Sequence, residues 1–111
     1  MAGGYVSFSG SSGIDHSVNA SAVPFGTFVL LVTINQNLKR NYIEVQNQSV
    51  GTIQLVRDDP APVGSGTNVT SIMCAPASAV GAQGGGWNSN TFKGRLRIYG
   101  ATGSQVAAYE D

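Results

Sequence analysis

The feature that most constrains this chain is a recurring alternation of short apolar segments and turn-forming residues. About six to eight segments rich in Val, Ile, Leu, Phe and Tyr are separated by clusters of Gly, Pro and Asn, the spacing of an all-β domain. No stretch carries a convincing ten-residue helical pattern. The length of 111 residues fits one domain. The pattern predicts a small single-domain β-sandwich or barrel and leaves the strand order open.

Two segments, 41–47 and 94–99, alternate apolar and polar residues, which is typical of strands with one buried face. The side chains predicted to face the core are Ile43, Val45, Leu96 and Ile98. Segment 41–47 is predicted to form a β-hairpin with 52–57. Asp58 and Asp59, which precede Pro60, are interpreted as a solvated turn.

The segment 25–33 is apolar on both of its potential faces, which predicts a strand that is covered on both sides. By contrast, residues 1–22 are rich in Gly, Ser and Asn, which predicts an N-terminal arm preceding a β-sandwich domain over 23–111. The apolar side chains predicted to anchor this arm on the domain or on a neighbour are Tyr5, Val6 and Phe8.

Charge is unusually sparse, because only 11% of the residues are charged and the six basic and six acidic residues cancel. Soluble domains usually contain about 25% charged residues. Copies of such a chain repel each other little, which, with the apolar segment 25–33, predicts a homodimer. The start shows no signal-peptide pattern and no apolar run is long enough to span a bilayer, so we expect synthesis in a cytoplasm and no membrane insertion.

The sequence carries no pattern that predicts catalysis, a metal or a cofactor. The single histidine, His16, follows Asp15 within the predicted arm, where no preorganised acid–base geometry is expected. The single cysteine, Cys74, lies in an apolar run and is interpreted as a small buried hydrophobe. There is no CxxC, HxxxH or phosphate-binding loop. We therefore expect a chain that is not an enzyme and that uses no cofactor or metal.

Small basic clusters do not predict nucleic-acid binding, because the net charge is zero and affinity for phosphates depends on excess positive charge. Arginines on the outer face of a strand more often pair across the sheet or with a partner. The basic residues predicted to bind a partner protein are Lys39, Arg40, Arg95 and Arg97.

Trp87 has two interpretations. Its neighbours Asn88 and Asn90 are typical of the loops with which β-sandwich modules contact a glycan, so Trp87, Asn88 and Asn90 are candidate glycan contacts. Alternatively, the indole closes one end of the core.

Two stretches resemble a known family. Residues 39–49 combine a basic pair, a short alternating strand and the motif Gln46-Asn47-Gln48-Ser49, and residues 95–110 combine a strand, a small-residue turn and a final strand that ends in an acid. These patterns, the chain length and the Gly/Ser-rich start resemble the capsid decoration proteins, also called cement or staple proteins, of short-tailed phages.

The resemblance implies a jelly-roll-like sandwich that binds the major capsid protein, often as a dimer, and it implies no catalytic residues. The expected function is therefore a non-enzymatic virion protein, made in the host bacterial cytoplasm, that stabilises the outer capsid surface. The alternative is a carbohydrate-binding β-sandwich, for example a phage adhesion or fibre component.

Overall fold

The computed structural model describes residues 13–18, 27–59 and 68–111. These residues form eight β-strands and no helix. The strands are β1 (Ile14–Asp15), β2 (Phe28–Ile34), β3 (Ile43–Asn47), β4 (Ile53–Asp59), β5 (Asn68–Cys74), β6 (Gly86–Ser89), β7 (Arg95–Ala101) and β8 (Val106–Glu110). The predicted all-β class is confirmed.

The strands form two antiparallel sheets of four strands each, with the orders β1-β8-β3-β6 and β2-β7-β4-β5. The pairing is nested: β1 pairs with β8, β2 with β7, β3 with β6 and β4 with β5. A long antiparallel ribbon that has been rolled up produces this pattern. The order is that of an eight-stranded jelly roll, which agrees with the sandwich that the sequence predicted.

The core lies between the two sheets and consists of the inward side chains of both. Because side chains alternate between the faces of a strand, each sheet contributes every second residue. The most deeply buried aliphatic side chains are Ile34, Ile43, Val45, Ile53, Leu55, Leu96, Ile98 and Val106, which include all four that the alternation predicted. Cys74 is also buried, as predicted, and desolvation raises the pKa of its thiol.

Strand β2 departs from the prediction that both of its faces are covered. Its pairing register shifts between Leu30 and Val32, which marks a β-bulge. The bulge allows Leu31 and Val32 to pack against the core although they are consecutive. Phe28 and Leu30 face outward and are 49% and 46% exposed. In the described part of the chain, the outward side of this apolar strand is therefore open.

The predicted hairpin between β3 and β4 is wrong, because these strands belong to different sheets. The fully buried Asn47 fixes the corner where the chain crosses between them. Its Nδ2 donates to the carbonyl oxygens of Gly51 at 2.8 Å and Cys74 at 3.1 Å. Its Oδ1 accepts hydrogen bonds from the backbone nitrogen and the hydroxyl of Ser49, at 2.9 and 2.6 Å. The Asn-x-Ser motif therefore closes a sheet-to-sheet corner.

Part of the predicted N-terminal arm belongs to the sandwich. Residues Ile14–Asp15 pair with β8, and Val18 adds a bridge to the first residue of that strand. Gly13 lies against the buried Tyr109, since a β-carbon at Gly13 would come within 1.9 Å of the tyrosine hydroxyl. Residues 13–18 therefore form an edge of the first sheet.

Truncation of a side chain at the centre of the core should strongly lower the free energy of unfolding. Leu55 is 0% exposed, so Leu55→Ala should lower the free energy of unfolding by about 2–5 kcal/mol, the range for a buried leucine that leaves a cavity. Urea denaturation followed by tryptophan fluorescence measures this. Leu38→Ala is the control, because Leu38 is 66% exposed and its truncation should change stability by less than about 0.5 kcal/mol. Equal effects of the two substitutions would contradict the assigned core.

Candidate functional site

The solvent-facing side of the second sheet, which we call the outer face, is the candidate functional site. Strand pairing arranges its side chains in rows that cross the sheet. The first row is Leu30, Tyr99, Gln54 and Met73; the second is Thr33, Arg97, Val56 and Ser71; the third is Arg95 and Asp58. Successive rows are about 7 Å apart, because alternate residues of a strand repeat at that distance.

Phe28 and the three apolar members of the first row form an exposed apolar patch, in which Gln54 lies between Tyr99 and Met73. Phe28, Leu30 and Met73 are 49%, 46% and 60% exposed. The ring of Phe28 stacks on Tyr99 with the centroids 6.4 Å apart and the planes 12° from parallel. These are large side chains on a hydrogen-bonded sheet, so a partner would meet a surface that is already ordered.

Phe28, Leu30, Met73 and Tyr99 are not among the site residues that the sequence predicts. The available signal was the apolar character of both faces of segment 25–33. That signal was interpreted as a covered strand, because alternation alone does not show whether a second layer covers a face.

The third row and Arg97 form a cluster of two guanidinium groups around one carboxylate. Arg95 directs Nε and Nη2 at Oδ2 of Asp58, at 2.7 and 2.5 Å, and Nη2 of Arg97 lies 3.0 Å from Oδ1. Asp58 is 6% exposed and lies within β4. The prediction of a solvated turn at Asp58 is therefore wrong, because the strand continues past this residue and its charge is neutralised across the sheet.

The environment of Asp58 stabilises its ionised form. Burial raises the pKa of this carboxyl, but hydrogen bonds from Arg95 and Arg97, and then their charges, outweigh burial and hold the pKa below its usual range.

A second charged cluster lies inside the molecule and is centred on Arg40. Its Nε donates to Oε1 of Glu110 at 3.0 Å. Its Nη1 donates to the carbonyl oxygens of Phe92 and Gly94 at 3.2 and 3.0 Å, and its Nη2 donates to that of Asn35 at 2.8 Å. The guanidinium therefore joins two loops to the last strand.

Glu110 is the acceptor at the centre of this internal cluster. Its Oε1 also accepts from Nδ2 of Asn37 at 3.1 Å, and Nε2 of His16 lies 2.7 Å from its Oε2. Burial raises the pKa of Glu110, but the hydrogen bonds from Asn37, Arg40 and His16 together outweigh it, so the pKa lies below its ordinary value.

The structure separates the residues that were predicted to bind a partner. Arg95 and Arg97 lie together on the outer face, whereas Lys39 is exposed on the loop that follows β2. Arg40 is only 1% exposed, so its interpretation as a partner-binding residue is wrong, and its observed contacts are structural. The predicted arm anchors Tyr5, Val6 and Phe8 lie outside the described residues.

Trp87 packs against the core from the edge strand β6. Its ring meets Phe92 edge-on with the centroids 5.5 Å apart, and the guanidinium carbon of Arg57 lies 5.4 Å from the indole centroid. Asn88 and Asn90 are exposed beside it. The indole is thus engaged within the protein, whereas stacking on a sugar requires a free ring face.

Among the described residues, no group of three His, Cys, Asp or Glu is placed to hold a metal ion. The same part of the chain contains no helix that is long and apolar enough to cross a membrane. Comparison with protein-family models, with curated proteins and with solved structures finds no match.

The two buried carboxylates should make the folded state less stable at low pH. Folding lowers the pKa of both Asp58 and Glu110, so the folded state binds fewer protons than the unfolded chain. Their stabilisation is present above the unfolded values, about 4, and is lost as the pH falls through the lower folded values. The free energy of unfolding should therefore fall steadily below about pH 5, as measured by urea denaturation across pH 2–7.

Glu110→Gln should lower stability by about 3–5 kcal/mol at pH 7, because Arg40 loses its buried counter-charge. It should also flatten the acid limb of the pH profile. Asp15→Asn is the matched control, because Asp15 is exposed and, within the described residues, its carboxylate accepts a hydrogen bond only from the backbone nitrogen of Ser17. A profile of Glu110→Gln that keeps the full wild-type slope would contradict the assignment.

Proposed function

We propose that this chain is a non-enzymatic structural protein that decorates and stabilises the outer surface of a phage capsid by binding the major capsid protein. The observation that carries the proposal is the apolar patch of Phe28, Leu30, Met73 and Tyr99 on the outer face. Exposed apolar side chains that lie close together on an ordered surface are typical of a protein interface. The resemblance of 39–49 and 95–110 to decoration proteins supplies the class of partner.

The internal ion pairs support a structural role. The buried acids Asp58 and Glu110 are engaged by arginines, and these contacts connect loops and strands of both sheets. A capsid stabiliser has to resist tension without unfolding, and cross-connected strands suit that task. Low charge also favours the wet, polar contacts by which one small domain can bridge several subunits.

We further propose that the working form is a homodimer. Strand β2 lies at an edge of its sheet, and its seven residues, FVLLVTI, include no charged side chain. Edges of this kind readily pair with another strand, since natural proteins usually protect them with charge or proline. Two copies related by a two-fold axis would pair antiparallel without repulsion. The two outer faces would then lie side by side, and the dimer would attach at two points.

The proposed function is tested by mixing the purified chain with empty shells assembled from phage major capsid protein. We expect saturable co-sedimentation at a fixed ratio of chain to capsid subunit. Leu30→Asp should weaken binding at least tenfold, because it places a charge in the centre of the patch. Val80→Asp is the control, since Val80 is similarly exposed, at 53%, and lies outside the rows of the outer face. A wild-type chain that leaves the shells unoccupied refutes the proposal.

The dimer is tested by multi-angle light scattering of the free chain over a range of concentrations. We expect the mass to rise toward twice that of the monomer, and Thr33→Pro to prevent this. Thr33 and Arg97 form a non-hydrogen-bonded pair, so proline at this position removes a backbone donor from the free side of the edge strand β2. Circular dichroism of the variant checks that the sandwich is retained. A mass that stays at 11.4 kDa on dilution and concentration alike would contradict self-association in solution.

A further inference from the structure

We infer that the outer face recognises an acidic side chain of its partner that lies close to an apolar one, with Arg95 and Arg97 receiving the carboxylate. The inference rests on the proposed function, because it takes the partner to be a protein. It adds the chemistry of the recognised segment and the side of the sandwich that meets it.

Some nitrogen donors of the two guanidinium groups are not bonded to Asp58. Asp58 occupies Nε and Nη2 of Arg95 and Nη2 of Arg97. Within the described residues, Nε of Arg97 is buried and has no hydrogen-bond partner. The side chain of Arg95 is 49% exposed, and its Nη1 makes no hydrogen bond there either. The buried Nε of Arg97 lies out of reach of a partner, and Nη1 of Arg97 donates to the Tyr99 hydroxyl at 3.4 Å. The half-exposed Arg95 is therefore the group that offers a donor to a further acceptor, and Arg97 adds its charge beside it.

The charge balance specifies what that acceptor should be. Among the described residues, two positive groups share one carboxylate at this end of the outer face, which leaves one positive charge in excess there. One further carboxylate restores neutrality, and its two oxygens match the forked geometry of a guanidinium. A nucleic-acid backbone fits less well, because its affinity is built from many phosphate contacts and the chain has zero net charge.

The position of the cluster adds a distance constraint. Arg97 lies one row from Leu30 and Tyr99, and Arg95 lies two rows away. At about 7 Å per row, a carboxylate bound here lies roughly 7–14 Å from an apolar side chain on the patch. An extended partner segment spans that distance with two to four residues, at about 3.4 Å per residue. The recognised segment is therefore an apolar residue followed or preceded at this interval by Asp or Glu.

The site is also preorganised. Asp58 holds both guanidinium groups in place from one side, so a partner carboxylate would meet donors whose side-chain rotamers are already restricted. Such restriction lowers the entropic cost of binding and favours a specific acceptor over solvent.

The first arm of the test measures the affinity of the full chain for empty capsid shells. Arg95→Gln should weaken binding about tenfold, and Arg95→Lys should restore it only partly, because lysine keeps the charge without the fork. Gln83→Glu is the matched control, since it changes the net charge by the same one unit at an exposed loop position off the outer face, and it should change affinity less than about twofold. Asp58 keeps Arg97 as a partner in Arg95→Gln, so the fold should persist, and thermal denaturation verifies this.

The second arm uses synthetic peptides and NMR of the ¹⁵N-labelled chain. The probe is a capped peptide with two leucines followed, three residues later, by an aspartate. Two comparison peptides carry asparagine in place of this aspartate; one is capped and the other has a free terminal carboxylate. They show whether a side-chain or a terminal carboxylate is recognised. We expect the aspartate peptide to bind at least fivefold more tightly than the capped asparagine peptide and to shift the arginine Nε resonances. In Arg95→Gln, we expect the difference in affinity between the two peptides to disappear.

The two arms separate the proposals. If shells bind the wild-type chain and Arg95→Gln equally well, the inference is overturned while the proposed function stands. If shells do not bind the wild-type chain, the proposed function fails and the peptides decide the inference. The inference is overturned if the chain binds the aspartate and capped asparagine peptides equally well, or if it binds neither at millimolar concentration. If only the asparagine peptide with a free terminal carboxylate binds more tightly, the assignment to a side-chain carboxylate is overturned.

Discussion

The buried ion pair between Arg40 and Glu110 is the interaction on which the rest of this structure depends. Removing both charges from water costs several kcal/mol per ion, so the pair is tolerated only with complete hydrogen bonding. The structure meets that condition, because Arg40 also donates to three carbonyl oxygens and Glu110 also accepts from Asn37. These contacts hold the loops at one end of the sandwich against the last strand, and through His16 they extend to the edge strand β1.

In a sandwich with a closed core of this kind, the side chains available to a partner lie on the outside. Each sheet buries one face, so a contact with a partner uses an outer face, an edge or the loops at the ends of the sandwich. On the first sheet, the outward-facing Ala107 and Tyr109 of β8 are buried. On the second sheet, Phe28, Leu30 and Met73 are exposed at one end and the arginine cluster lies toward the other. That contrast is the reason why the proposed binding surface is placed on the second sheet.

Alternation along the chain was sufficient to predict the class of fold and four inward side chains, because the period of two is a local property. The strand pairing was not predictable in this way. The turn after Asn47 has the length and composition of a hairpin, yet the Asn47 side chain binds Gly51 and Cys74 and sends the chain into the other sheet. The structural role of Arg40 was not predictable either, since its counter-charge, Glu110, lies 70 residues further along the chain. A charged residue with no visible partner is reasonably expected at the surface.

The residues that carry the resemblance and the residues that form the apolar patch are largely different. Asn47, Ser49 and Glu110 lie in the stretches that resemble decoration proteins, and each of them closes a corner or neutralises a buried charge. Phe28, Leu30 and Met73 lie outside those stretches and have no such structural duty on their exposed sides. Tyr99 belongs to both sets, because β7 is a central strand whose inward residues fill the core while its outward residues, Tyr99 among them, lie on the outer face.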